Sequence, residues 1–184
     1  MIKSFDFYFD FISPYSFLAH KEIKIIEKKN SIKVNYKPIL LGGLHNLHGI
    51  KAPAFVPAKA KHMIRDCKLI AEKNKIKFKF NSYFPIRSLN LMRGVLVAEE
   101  DNFKSYYIDN IFNAIWQDGL NLNDENITQK ILKNLNVNPK TFFLRSVSSS
   151  IKDSLKKKTN EAYEKGIFGA PSFVSNNKIF WGQD

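Results

Sequence analysis

One cysteine, Cys67, is all the thiol chemistry this 184-residue chain possesses. A lone thiol excludes an intrachain disulfide and leaves no cysteine-based metal site; Cys67 reads as a small buried hydrophobe on a helix. Also absent is any start that pairs a basic segment with an apolar run and a small-residue cleavage site. No apolar stretch approaches membrane-spanning length, so a cytoplasmic protein without a membrane partner is expected. Acidic residues are few, 17 against 29 Lys and Arg, which gives a net charge of +12. Such an excess raises nucleic acid as a partner. The lysines are scattered, however, and no nucleic-acid-binding motif accompanies them, so no nucleic-acid partner is expected. The one dense run, Lys156-Lys157-Lys158, sits in a helical pattern and reads as a solvated face. His20, His45, His48 and His62 do not combine with Asp or Glu at ligand spacing, which argues for loop or surface roles and no metal.

With 44% hydrophobic residues, the chain can bury a proper core. Ser4 to Phe11 alternates as a strand, with Phe5, Phe7 and Phe9 on one face and Tyr8 on the other. Pro14 to Lys29 carries a helical stripe, and Ser31 to Pro38 alternates again. A strand–helix–strand unit of this length implies a parallel pair with a right-handed crossover. Helical periodicity then dominates, in Ala58–Asn74, Leu89–Ala98, Phe103–Trp116 and Asn126–Leu135. Between these lie two turn-rich stretches, "LGGLHNLHGIKAPAFVP" and "FNSYFPIRSLN". Phe112 and Trp116 read as core. After a helix near Ser150–Lys165, "PSFVSNNKIFWGQD" reads as two short strands around Asn176-Asn177, because Asn tolerates the positive φ of such hairpins. The order is β-α-β, a helical block, then α-β-β. That is an α/β, thioredoxin-like sheet (residues 1–39 and 151–184) with an inserted all-helical subdomain (40–150). The closing helix of a full thioredoxin core is missing from the pattern.

The strand meets Ser13-Pro14-Tyr15-Ser16 and a helix begins at once. Proline suits the first helical position and Ser13 is a natural N-cap. Strand C-terminal ends are where open α/β sheets place ligands. The amide groups and dipole of a helix start favour an anion, and a thiol held there has a lowered pKa.

In thioredoxin-fold oxidoreductases this corner carries Cys-Pro-Tyr-Cys or a relative; serines at positions 13 and 16 exclude dithiol exchange. "DFISPYSFLA" resembles the N-terminal motif of 2-hydroxychromene-2-carboxylate isomerases and kappa-class glutathione transferases. "KPILLGGLHNLHGIKAPAFVPAKAKHMIRDCKLIA", with Asp66, is similar to that family's loop and first insertion helix. "FPIRSLNLMR", "FNAIWQDGLNLND" and "GIFGAPSFVSNNKIFWGQD" resemble later family segments. The resemblance is DsbA-like in fold and covers essentially the whole chain.

It implies a bound glutathione whose sulfur accepts a hydrogen bond from Ser13. It also implies a cis Pro171 facing that corner, with the Ala170 backbone holding the cysteinyl portion. Trp181, Gly182, Gln183 and Asp184 match the segment that grips the γ-glutamyl end. Lys51 and Pro53 fall in a loop similar to a glutathione-contacting stretch, where Ile50 replaces the family's asparagine and removes a polar contact. Arg87 and Asn90 fall in a segment that lines the substrate pocket, and Lys51 with Arg87 suits the carboxylate of a small aromatic substrate. The implied activity is glutathione-dependent isomerisation of 2-hydroxychromene-2-carboxylate-type compounds. The alternatives are kappa-class-like transfer and a catalytically inactive binding protein of the same fold. The family commonly forms dimers, so a homodimer is an expected assembly, although no residue here specifies the contact.

Overall fold

A computed structural model describes residues 4–30 and 32–183. Among these, four strands form one sheet in the order β2-β1-β3-β4. Strand β1 (Ser4–Phe9) runs parallel to β2 (Lys33–Pro38), and the helix between them is α1 (Pro14–Asn30). Strand β3 (Ser172–Ser175) lies antiparallel to β1, and β4 (Lys178–Trp181) forms a hairpin with it. The hairpin turns on Asn176 and Asn177, at φ 50° and 59°, the left-handed geometry expected of Asn at these positions. The intervening helices are α2 (Leu41–His48), α3 (Pro57–Lys73), α4 (Leu89–Glu100), α5 (Lys104–Trp116), α6 (Glu125–Asn134), α7 (Pro139–Ser146) and α8 (Ser149–Glu164). Among the described residues, no helix is long and apolar enough to cross a membrane.

The period-two pattern of β1 divides the core. Phe7 and Phe9 enter the main cluster, while Tyr8 packs on the opposite face with Ile39, Leu44, Ala162 and Ile167. Phe112 is the hub of the main cluster. Its ring centroid lies 4.8 Å from Phe11, 5.8 Å from Phe9 and 6.1 Å from Phe17. This joins α5 to both the sheet and α1, and each fully buried ring contributes roughly 1.5–3 kcal/mol. Trp116 and Cys67 are likewise fully buried, as the pattern required.

One helix occupies a stretch expected to be turn-rich, and another, Pro139–Ser146, was not among the helical segments expected. Leu41–His48 is helical despite Gly42 and Gly43, because its Leu44 side chain is buried against the Tyr8 face. Tertiary packing outweighs the roughly 1 kcal/mol that each glycine costs a helix. Pro139–Ser146 forms behind an Asn138 cap whose side chain accepts from Thr141 N–H, the pairing that opens short helices. Strand β1 also ends two residues early, at Phe9, because Asp10 turns the chain: Ser13 N–H donates to Asp10 C=O at 3.1 Å.

The loop or surface role expected of the histidines does not hold for His20. It is 1% exposed, on α1. Its Nε2–H donates to Asp109 Oδ1 at 2.6 Å, and its Nδ1 lies 2.9 Å from the Tyr36 hydroxyl. His45 is buried as well. Burial pushes both imidazoles below their ordinary pKa, for His20 against the pull of Asp109.

Candidate active site

The corner between β1 and α1 is pinned residue by residue. Asp10 is fully buried, and its carboxylate accepts from Ile12 N–H at 3.1 Å and from Leu41 N–H at 2.8 Å. Burial pushes its pKa up, opposed by those two amides and by the Ser88 hydroxyl. Phe11 N–H points at the Met92 sulfur, 3.4 Å away, and Phe11 C=O accepts from the Trp116 indole N–H at 2.8 Å. Helices α2, α4 and α5 of the inserted region therefore fix Asp10 and Phe11, and Asp10 in turn holds Ile12.

Ser13 caps α1. Its Oγ accepts from Ser16 N–H at 3.1 Å, and its C=O accepts the first helical bond from Phe17 N–H. Its hydroxyl proton crosses to the other end of the chain and donates to Ala170 C=O at 2.8 Å. The Ala170–Pro171 peptide is cis, and its carbonyl is the group that Ser13 meets. The loop carrying it is held on both sides. His48 Nε2–H donates to Ile167 C=O at 2.9 Å, and the Ser172 hydroxyl donates to Gly169 C=O at 2.8 Å.

Gly182 N–H donates to Pro171 C=O at 3.2 Å, which brings the end of β4 to the same place. The Trp181 indole stands over Gly169, where a Cβ would meet its Nε1 at 2.5 Å, and packs on Phe168. Trp181 is nonetheless 59% exposed, a wide apolar surface at the rim. Ser13, Ala170, Pro171, Trp181 and Gly182 thus converge, and Gln183 follows directly. Asp184 lies outside the described residues.

The four proposed substrate residues are exposed. Arg87 and Asn90 flank Ser88, the residue that faces Asp10, so they sit at the corner's edge; Asn90 Oδ1 accepts from the Arg93 guanidinium at 3.1 Å. Lys51 lies in the loop after α2, and Pro53 opens a short 3-10 helix, Pro53–Phe55. No hydrogen bond ties either of their side chains to Ser13 among the described residues.

Sequence reading missed Asp10 altogether, although an acid inside "FYFDFIS" signals a buried anchor. The Tyr15 hydroxyl donates to the Asp66 carboxylate at 2.8 Å, joining the first turn of α1 to α3. Among the described residues, no cluster of His, Cys, Asp or Glu is suited to a metal.

The donor set fits a thiolate-bearing ligand. It offers a helix start, a hydroxyl on its cap and an adjacent backbone carbonyl. It also holds an orphaned polar atom, the fully buried Ser16 Oγ, which has no partner among the described residues. No thiol of the chain competes for the position, because Cys67 is buried in the core and burial pushes its pKa up to about 12.

The profile of the DSBA-like thioredoxin domain matches residues 4–184. The chain is 28% identical to a 2-hydroxychromene-2-carboxylate isomerase of Sphingobium xenophagum, across 100% of this chain and 94% of that protein. It is 26% identical to a glutathione S-transferase kappa 1 of Caenorhabditis elegans, across 90% of this chain and 77% of that one. A solved 2-hydroxychromene-2-carboxylate isomerase superposes with a TM-score of 0.90, covering 98% of this chain and 89% of that one at 22% identity. That likeness is one of fold.

Proposed function

The chain belongs to the DSBA-like thioredoxin domain family, and from that premise we propose that it is a glutathione-dependent isomerase of 2-hydroxychromene-2-carboxylate-type substrates. The observation that carries this reading is the Ser13–Ala170 contact at a cysteine-free corner. Glutathione, when bound, would supply a sulfur nucleophile for reversible addition to a conjugated alkene. The protein's share is to hold that sulfur ionised and to place the substrate against it.

Ser13 donates its hydroxyl to the sulfur, and the positive end of α1 favours the anion. To do so, Ser13 releases Ala170 C=O, which then accepts from the ligand's cysteinyl N–H in the manner of an added strand. Pro171 closes the wall behind it. Trp181, Gly182 and Gln183 border the γ-glutamyl end, and Asp184 is assigned to its ammonium group. Arg87 and Lys51 receive the substrate carboxylate, Arg87 as a fork and Lys51 as a point charge; Pro53 and Asn90 line the approach. Positioning of this kind converts a bimolecular addition into an effectively unimolecular one.

A second reading, transfer of glutathione to an electrophile, uses the same ionised sulfur and is favoured by the kappa-class relative. Purified protein with glutathione is tested on a chromene carboxylate and on an aryl halide, with calorimetry for binding. Turnover of the chromene without consumption of glutathione supports the isomerase, and conjugation of the halide alone supports the transferase. No heat of binding and no turnover would leave an inactive binding protein and end this proposal.

A further inference from the structure

Ser13 and Ser16 hold complementary vacancies. A serine hydroxyl has one proton and two lone pairs. Ser13 gives its proton to Ala170 C=O and one lone pair to Ser16 N–H. Among the described residues, no donor meets its second lone pair. Ser16 is 0% exposed, and its Oγ–H has no acceptor among the described residues. The two residues stand at the cap and third positions of α1, the two positions that a capping box links. Buried polar groups are ordinarily partnered, and each exception calls for a reason. Here the open donor and the open acceptor belong to neighbours at the start of one 17-residue helix.

We infer that Ser16 is a positioning residue whose hydroxyl is kept in reserve for the ligand-bound state, where it donates to Ser13 Oγ while Ser13 donates to the ligand's sulfur. This rests on the functional reading above. In the free protein, the Ser13 proton is committed to Ala170. When a thiolate ligand takes over that carbonyl with its own N–H, the Ser13 hydroxyl swings to the sulfur. Ser13 Oγ then accepts from both Ser16 N–H and Ser16 Oγ–H, so both hydroxyl protons and both lone pairs of Ser13 Oγ are used. Hydrogen bonds in series polarise one another, so the bond from Ser16 makes Ser13 a stronger donor to the thiolate. No covalent bond changes, and no proton leaves either serine.

Ser16→Ala tests this, because an ordinary structural serine and a reserve donor respond differently. Removing an unsatisfied buried hydroxyl leaves the melting temperature of the free protein unchanged or raises it. The bound glutathione thiol, followed by its thiolate absorbance against pH, becomes less acidic. Turnover below that pKa falls roughly threefold to tenfold, the worth of one neutral hydrogen bond, and recovers above it. In a Ser13→Ala background, Ser16→Ala adds nothing, since it acts only through Ser13. The other titratable groups at this corner are Asp10 on the turn, Tyr15 on α1, and Asp66 and Cys67 on α3. All four are retained in the variant, so none of them accounts for the shift.

Wild-type titration and turnover in Ser16→Ala, or a lowered melting temperature with an unchanged titration, would overturn the assignment while the functional reading stands. Wild-type protein that binds no glutathione would remove both.

Discussion

Replacing Asp10 by alanine strips the acceptor from two backbone amides at the foot of the site. Its Oδ1 takes Ile12 N–H at 3.1 Å and its Oδ2 takes Leu41 N–H at 2.8 Å. Leaving a buried donor unmet costs about 1–3 kcal/mol. Both amides are half-buried, so the low end applies to each. The carboxylate's own burial already opposes folding in its charged form, which offsets part of the loss. The net expectation is about 1–2 kcal/mol, a sizeable share of the 5–15 kcal/mol typical of a whole domain. In urea unfolding followed by circular dichroism, that lowers the midpoint by about 0.5–1 M at unchanged slope. Asp10→Asn keeps one acceptor and loses less. The pH dependence follows from the raised pKa. The folded state holds the Asp10 proton more tightly than the unfolded chain does. That contribution is full below 3.8 and is lost as pH rises through the folded value. Wild type therefore gains on the asparagine variant as pH falls from neutral. A midpoint for Asp10→Ala indistinguishable from wild type would refute the reasoning.

Three further outcomes are expected. The His20 imidazole is held below its ordinary value by burial, so its contribution to stability is full above 6.5 and lost as pH falls through the folded value; His20→Phe flattens that part of a stability-versus-pH curve. Gly169→Ala drives a Cβ to 2.5 Å from Trp181 Nε1, displacing an exposed indole. Glutathione affinity measured by calorimetry then drops several-fold, while the melting temperature barely moves. Phe112→Ala empties the hub shared by Phe9, Phe11 and Phe17 and lowers the stability read from urea unfolding by about 3–5 kcal/mol.

Much of the fold was legible because its signals are local. Phe5, Phe7 and Phe9 against Tyr8 announced a strand with two distinct faces, and Asn176-Asn177 announced the hairpin. The corner was legible for the same reason: a cap serine, a proline and an aromatic strand lie within a few residues. What escaped depends on partners far along the chain. Asp10 is an anchor only because Leu41 and Ser88 arrive beside it. His20 is buried only because Tyr36 and Asp109 complete its polar set, with Asp109 89 positions away in sequence. Leu41–His48 reads as a glycine-rich turn until Leu44 finds the Tyr8 face. The contact between Ser13 and Ala170 spans 157 positions, and family resemblance rather than periodicity placed it.

The account depends on an external sulfur being ionised at the start of α1. The direct measurement is the ultraviolet thiolate absorbance of glutathione titrated with the protein across pH, in wild type and in Ser13→Ala. The predicted result is a thiolate signal in wild type well below the ordinary thiol pKa of about 8.5, displaced upward in the variant. A bound thiol that ionises no more readily than free glutathione, or identically with and without the Ser13 hydroxyl, would contradict it.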